Sequence, residues 1–311
     1  MKSPILEIAG HQFQWGSRTY IMGILNITPD SFSGDGLLKG REQSEAIDFN
    51  SADLDTRPAL EQARSAIDAG VDILDVGGES TRPGSAPLSI DQELERVVPV
   101  IRDLHATFPD VLISIDTYKA RVAEEGFKEG AQILNDVWGL RADPELAGMA
   151  ARYKAPVVLM HNRSNPASVE VRANLGGAYI GAQYENLVED VKRELLDSVG
   201  LAHAAGIPDS SIILDPGIGF GKTVEHNLEL INRLGELRLL GYPILLGPSR
   251  KSFIGFTLDL PADQRIEGTG AAIAVGIVRG ADMVRVHDVK PMVRISRMTD
   301  ALVRRNDRVQ A

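Results

Sequence analysis

The sequence predicts a (β/α)8 TIM barrel preceded by a short N-terminal β-hairpin, and three observations predict it. Eight short apolar runs recur along the chain with helical patterns between them, which implies parallel strands joined by crossover helices. Nearly every run is closed by a hydrogen-bonding or charged residue, as expected where strand ends converge on one mouth. The length, 311 residues, suits one such barrel. A single domain over residues 1–311 is therefore expected, with a doubly wound open sheet as the alternative architecture.

Taken in order, residues 5 to 20 alternate apolar and polar around Gly10 and Gly16, which reads as a hairpin covering one barrel mouth. The eight runs are 20–25, 73–76, 111–115, 133–134, 156–160, 212–214, 244–246 and 283–286. Ser89 and Gln92 have the spacing of a capping box, and Ile90, Leu94, Val97, Ile101 and Leu104 follow at helical spacing. Tyr184, Leu187, Val188, Val191, Leu195 and Val199 mark a longer helix that Gly206 and Pro208 end. The arginines of the last helix, Arg294, Arg297, Arg304, Arg305 and Arg308, read as a solvated face. Two segments exceed ordinary connections: residues 34–56, an extended first loop, and residues 77–87. Both suit binding loops, and a plain surface insertion is an equal reading of residues 39–56.

Composition removes several classes of function. Hydrophobic residues at 43% and charged residues at 24% give an ordinary globular chain with ample material for a core. A formal charge of -10 argues against nucleic acid or an anionic membrane as the main partner, so any anion must meet a local group of bases. The absence of cysteine excludes disulfides, thiolate metal sites and a cysteine nucleophile. No apolar run has the length of a membrane span and the first residues lack a signal-peptide core, so the expectation is no membrane and a cytoplasmic protein.

The chemistry gathers around Ile212-Ile-Leu-Asp-Pro-Gly-Ile-Gly-Phe-Gly-Lys222, an apolar strand that ends in an acid and a loop with three glycines. Such a loop lets a flat ligand approach the backbone while Asp215 accepts its N–H groups. The other runs end in Asn26, Gly77-Gly-Glu79, Asp116, Asn135-Asp136, His161, Ser249-Arg-Lys251 and Arg285-Val-His287. Each has a plainer reading alone: Asp116 or Thr117 as a helix cap, Asn135 as a loop hydrogen-bonder, His161 as a packed histidine. As a set, Asp215, Asp116 and Asn135 suit a heterocycle with several N–H donors, and Lys251 suits its carbonyl. Arg285 and His287, one residue apart on a strand, suit a phosphate-like anion. Asn26 would join them through a magnesium ion held by phosphates and water, since no ligand cage is present.

These residues and their order carry a resemblance to the dihydropteroate synthase family of pterin-binding enzymes. The segments are Met22-Gly-Ile-Leu-Asn-Ile-Thr-Pro-Asp-Ser-Phe-Ser33, Asp75-Val-Gly-Gly-Glu-Ser-Thr-Arg-Pro-Gly84, Ser114-Ile-Asp-Thr117, Leu214 to Lys222, Gly247-Pro-Ser-Arg-Lys-Ser-Phe-Ile-Gly255 and Arg285-Val-His-Asp288. The resemblance implies condensation of 6-hydroxymethyl-7,8-dihydropterin pyrophosphate with p-aminobenzoate in folate biosynthesis, with magnesium, in a homodimer. It implies that Asp116, Asn135, Asp215 and Lys251 hold the pterin, and that Asn26, Arg82, Arg285 and His287 hold the pyrophosphate. Phe32, Thr81, Pro83 and Ser252 would meet p-aminobenzoate, and Lys251, Arg285, His287 and Asp116 would carry catalysis. Two places depart from the family pattern. Ser33-Gly-Asp-Gly36 shifts the usual acid by one position, and Met160-His-Asn-Arg163 leaves His161 without a catalytic part. A pterin-binding methyltransferase and a silent pterin-binding paralogue are the alternatives, and the Ser-Thr-Arg-Pro loop with Arg285 and His287 weighs against the first.

Overall fold

The computed structural model describes residues 2, 4–27, 55–80, 87–165, 169–172, 175–180 and 183–304. Strands β1 (Ile5–Ile8) and β2 (His11–Gln14) pair antiparallel, with Ile8 opposite His11. Gly10 turns the chain between them at φ 84, a left-handed conformation that a residue without Cβ adopts at little cost.

Alternation then follows in order: β3 (Tyr20–Asn26), α1 (Arg57–Ala69), β4 (Ile73–Gly77), α2 (Ile90–Thr107), β5 (Leu112–Asp116), α3 (Ala120–Lys128), β6 (Ile133–Asp136), α4 (Leu146–Arg152) and β7 (Val157–Met160). A second hairpin, β8 (Val169–Arg172) and β9 (Gly176–Tyr179), precedes α5 (Leu187–Ala204), β10 (Ile212–Asp215), α6 (Val224–Asn232), α7 (Leu234–Arg238) and β11 (Leu245–Leu246). Helices α8 (Ser252–Leu258) and α9 (Ile266–Val278), strand β12 (Met283–Val286) and α10 (Val289–Val303) complete the described chain.

The eight-stranded sheet runs β10-β7-β6-β5-β4-β3-β12-β11, with every pairing between these neighbours parallel. A parallel bridge between Leu214 and Ile244 joins its two ends, so the sheet closes as a barrel and not as an open doubly wound sheet. One side chain or more from each barrel strand, among them Met22, Ile73, Leu112, Ile133, Val158, Ile213, Leu245 and Met283, forms an apolar floor inside it. Leu6, Ile8, Phe13 and Trp15 of the first hairpin belong to that same cluster, so the hairpin seals the end at which the strands begin. A larger apolar layer lies between the sheet and its helices.

Several strands run one or two residues past their apolar stretch, so β3, β5, β6 and β10 close on Asn26, Asp116, Asp136 and Asp215. The ladder bonds do not depend on side-chain polarity, so pairing continues until the backbone turns away. Ser89 caps α2 through the expected box with Gln92. Helix α5 starts later than the apolar spacing suggests, because the Asn186 side chain accepts from Glu189 N at 3.3 Å and sets the first turn there. Tyr184, left outside, donates its hydroxyl to Gly221 O at 3.0 Å. Arg304 is likewise not part of a solvated face. It donates to Asp300 at 2.7 Å and to Ala281 O at 2.6 Å, and its side chain is 9% exposed. Arg294 and Arg297 are exposed as expected, and Arg305 and Arg308 lie outside the described residues.

Candidate functional site

Parallel register brings the strand ends to one level. Asn26 pairs with Gly77, Gly77 with Asp116, and Asp116 with Asn135, which aligns four consecutive strands at the mouth. The pleat then turns Asp75, Ser114, Asn135, Asp215 and Arg285 into a polar layer above the apolar floor. Charge inside a barrel needs a partner, and here it has several. Arg285 Nε donates to Asp75 Oδ2 at 2.6 Å, and Arg285 Nη2 donates to Asp116 Oδ2 at 2.6 Å. Asn135 Nδ2 donates to the same Asp75 oxygen at 3.0 Å.

The loop after β10 forms the facing wall. Asp215 Oδ1 accepts from Gly217 N at 2.7 Å, which fixes the carboxylate at the start of the glycine segment. Lys251 Nζ donates to Ile218 O and sits 4.5 Å from the centre of the Phe220 ring. The backbone sets up that reach: Arg250 holds φ 55, unusual for a residue with a Cβ, and its guanidinium grips Asp288 at 2.7 and 2.9 Å. Gly247 shows how closely these groups converge. A Cβ placed there would lie 3.7 Å from Arg285 Cβ, 3.9 Å from Asp215 Oδ2 and 4.0 Å from Lys251 Nζ.

Electrostatics follows from crowding three acids and two bases in a dry place. Burial pushes the Asp116 carboxyl up to about 7, against the pull of Arg285. Burial also raises Asp215 while Lys251 opposes it, and lowers Lys251 to about 8 while Asp215 opposes that. Burial works against the charge of Arg285, but Asp75 and Asp116 outweigh it and hold the guanidinium ionised. The site can therefore accept N–H groups, donate to a carbonyl and receive an anion within one opening.

Of the residues expected from sequence, Asp116, Asn135, Asp215, Lys251 and Arg285 meet at the mouth, with Asn26 level with them in the sheet. His287 follows β12 directly, with Nδ1 3.0 Å from Ser249 Oγ. Ser252 opens α8 immediately after Lys251. Phe32, Thr81, Arg82 and Pro83 lie outside the described residues, as do Asp35 and most of the first loop. Neither Asp116 nor Thr117 caps the following helix, whose N-cap is Lys119. Two buried charged residues at this site were given no role by the sequence reading. Asp75 sits within an apolar run and is fully buried. Its signal was a carboxylate where a doubly covered strand expects an aliphatic residue. Lys222 is buried with Nζ 2.9 Å from His161 Nδ1, 2.9 Å from Gly217 O and 3.0 Å from Phe220 O. His161, lowered to about 3 by burial and then by Lys222, is neutral, with Nδ1 toward the Lys222 amine and Nε2 3.0 Å from Glu194 Oε2.

Three comparisons with known proteins bear on this geometry. The profile of the pterin binding enzyme family matches residues 22–287. The dihydropteroate synthase of Clostridium beijerinckii is 48% identical over 301 residues, which cover 96% of this chain and 100% of that protein. A crystal structure of the Clostridium difficile dihydropteroate synthase, solved in the presence of pteroic acid, superposes with a TM-score of 0.81 at 45% identity, covering 94% of this chain and 100% of that one. The Xanthomonas albilineans dihydropteroate synthase, solved with 4-aminobenzoic acid, gives 0.80 at 35% identity, covering 96% and 98%.

Proposed function

Because this chain belongs to the pterin-binding enzyme family, and within it to the dihydropteroate synthases, we propose that it condenses 6-hydroxymethyl-7,8-dihydropterin pyrophosphate with p-aminobenzoate. The products are 7,8-dihydropteroate and pyrophosphate, and the enzyme is a transferase of folate biosynthesis. One observation carries the reading from geometry: Arg285, held by Asp75 and Asp116, converges with Asp215 and Lys251 around Gly247 at the mouth. The structures of the two related enzymes, one solved in the presence of pteroic acid and the other with 4-aminobenzoic acid, support both substrate classes.

In this reaction the bond between the pterin methylene and the pyrophosphate oxygen breaks, and the electron pair leaves with pyrophosphate. The methylene carbon bonds to the arylamine nitrogen, which loses a proton to solvent. Asp215, Asp116 and Asn135 accept the N–H groups of the ring, and Lys251 donates to its carbonyl. Arg285 and His287 receive the departing oxyanion, a charge that grows only as the bond breaks and so lowers the barrier rather than merely tightening binding. Ser252, Phe32, Thr81 and Pro83 belong to the p-aminobenzoate side, and Arg82 to the pyrophosphate side.

Magnesium is part of the proposal. Among the described residues no group of three His, Cys, Asp or Glu side chains could hold a metal ion. Asn26 offers one hard amide oxygen, which fits an ion bound mainly by phosphate oxygens and water. When bound, the ion adds positive charge beside the leaving diphosphate. A cytoplasmic homodimer completes the reading. No helix among the described residues is long and apolar enough to cross a membrane. Val275 and Val278 of α9 and Met298 and Leu302 of α10 leave apolar side chains exposed, suited to a second copy. Sedimentation as a monomer at micromolar concentration would remove the dimer.

Pyrophosphate release, measured with both substrates and with and without magnesium, tests the activity. Release should require p-aminobenzoate. Equal release without it would overturn the synthase reading.

A further inference from the structure

Asp75 is an improbable residue for its place. It lies in the middle of β4, whose five residues are all buried, and its neighbours Leu74 and Val76 face the helix layer. Burying a carboxylate there costs several kcal/mol unless it is paired, whereas an aliphatic side chain would fit at no such cost. Its partners show what it is there for. Oδ2 accepts from Arg285 Nε at 2.6 Å and from Asn135 Nδ2 at 3.0 Å, while Oδ1 has no hydrogen-bond partner among the described residues. The cross-strand neighbour, Ser114, likewise has a buried hydroxyl without a hydrogen-bond partner among the described residues.

We infer that Asp75 is a positioning residue: from one carboxylate oxygen it orients Arg285 toward the leaving anion and Asn135 toward the heterocycle. This rests on the synthase reading and goes beyond it, since Asp75 itself touches neither substrate. For Asn135 the consequence is specific. An amide whose nitrogen is committed to Asp75 turns its oxygen to the ligand, so it presents an acceptor to ring N–H groups. For Arg285, Asp75 takes Nε and Asp116 takes one Nη2 hydrogen, two of five donors, and the remaining three can receive a phosphate edge. Replacing Asp75 with asparagine keeps the volume and breaks this arrangement. With its oxygen in the place of Oδ2, a neutral amide holds Arg285 and Asn135 only weakly, since it lacks the charge that pairs with the guanidinium.

The test is a double-mutant cycle on D75N, R285K and the double variant, in the full chain. Its probes are inorganic pyrophosphate with magnesium and 6-hydroxymethylpterin, each measured by calorimetry, alongside kcat and KM for the complete reaction. D75N should lower kcat about tenfold or more and weaken pyrophosphate about tenfold, with a smaller rise in KM for p-aminobenzoate. In the R285K background its further effect on pyrophosphate should shrink to about twofold or less, because the route through the guanidinium is already lost. Its effect on the pterin probe should persist, since that route runs through Asn135. A pyrophosphate effect that stays undiminished in the R285K background would overturn the inference, as would unchanged kcat and affinities. Should D75N not fold, D75S is read in the same way, and failure of both to fold assigns Asp75 to the fold and ends the positioning role. A wild-type chain that binds both probes without joining the substrates would sink the synthase reading alone, leaving the binding cycle to judge Asp75.

Discussion

In the proposed reaction Arg285 can act on a departing anion because its position is settled before substrate arrives. Bonds of 2.6 Å to Asp75 and to Asp116 fix the guanidinium plane, so no reorganisation is needed as charge develops. Arg285→Ala should therefore lower kcat by about 100-fold, close to 3 kcal/mol of barrier, and normal steady-state kinetics would remove it from the reaction. In the same proposal Asp215 serves the other end of the ligand, with Oδ1 tied to Gly217 N and Oδ2 near the space that Gly247 leaves open. Asp215→Asn puts an amide donor before the ring's N–H groups, and calorimetry with a pterin should find binding weaker by about 2 kcal/mol, roughly 30-fold. The acid and base groups also predict a pH profile. Asp116, raised by burial to about 7, gains its charge as pH rises through that value, so kcat/KM climbs there. Lys251, lowered by burial to about 8, loses its charge as pH rises further, so kcat/KM falls again. A profile flat from about pH 5 to about pH 10 would detach both groups from the free enzyme's function.

At the scale of elements, the turn between β10 and α6 shows why its glycines are needed. Gly217 holds φ 68, and a Cβ there would come 1.8 Å from His161 O, a backbone atom with nowhere to move. Gly217→Ala should therefore lower the unfolding midpoint in denaturant, by about 2 kcal/mol or more, and abolish activity along with it. An alanine variant with native stability and turnover would show that the loop has room it does not display. Lys222 braces the same turn from below through Gly217 O and Phe220 O. That turn, the eight strands and most of the site were legible because each rests on local pattern: an apolar run, a glycine cluster, a polar residue closing a strand. Asp75 was not, since it reads as one polar letter inside an apolar run and its partner Arg285 lies 210 residues away. The β8–β9 hairpin escaped for a related reason. Its Leu175 O is held by Arg265 Nη2 at 2.9 Å, a contact across 90 residues that no local spacing announces. Arg304 misled in the opposite direction, because charge at helical spacing suggests solvent while Asp300 and Ala281 O in fact enclose it.

In the molecule as a whole, the barrel keeps its two ends apart in role. The candidate site occupies the carboxyl ends of the strands, while the amino ends are closed by the β1–β2 hairpin. Phe13, Trp15 and Tyr20 form one aromatic group there, with ring centroids 4.7 to 5.6 Å apart, and the Tyr20 hydroxyl accepts from Gln14 N at 2.7 Å. Between this plug and the polar layer stands the apolar floor, so damage below should reach the site only by unfolding the barrel. Phe13→Ala makes that concrete. Removing a buried phenyl ring from the plug should destabilise the protein by about 3 to 5 kcal/mol, a large share of the 5 to 15 kcal/mol typical of a domain. Where the variant is still folded, KM for both substrates and kcat should stay within about twofold of the unmodified enzyme. Denaturant titration reads the first quantity and steady-state kinetics the second. A variant of native stability would mean that the hairpin is only laid against the barrel, and a shifted KM in a folded variant would mean that the floor transmits strain to the mouth.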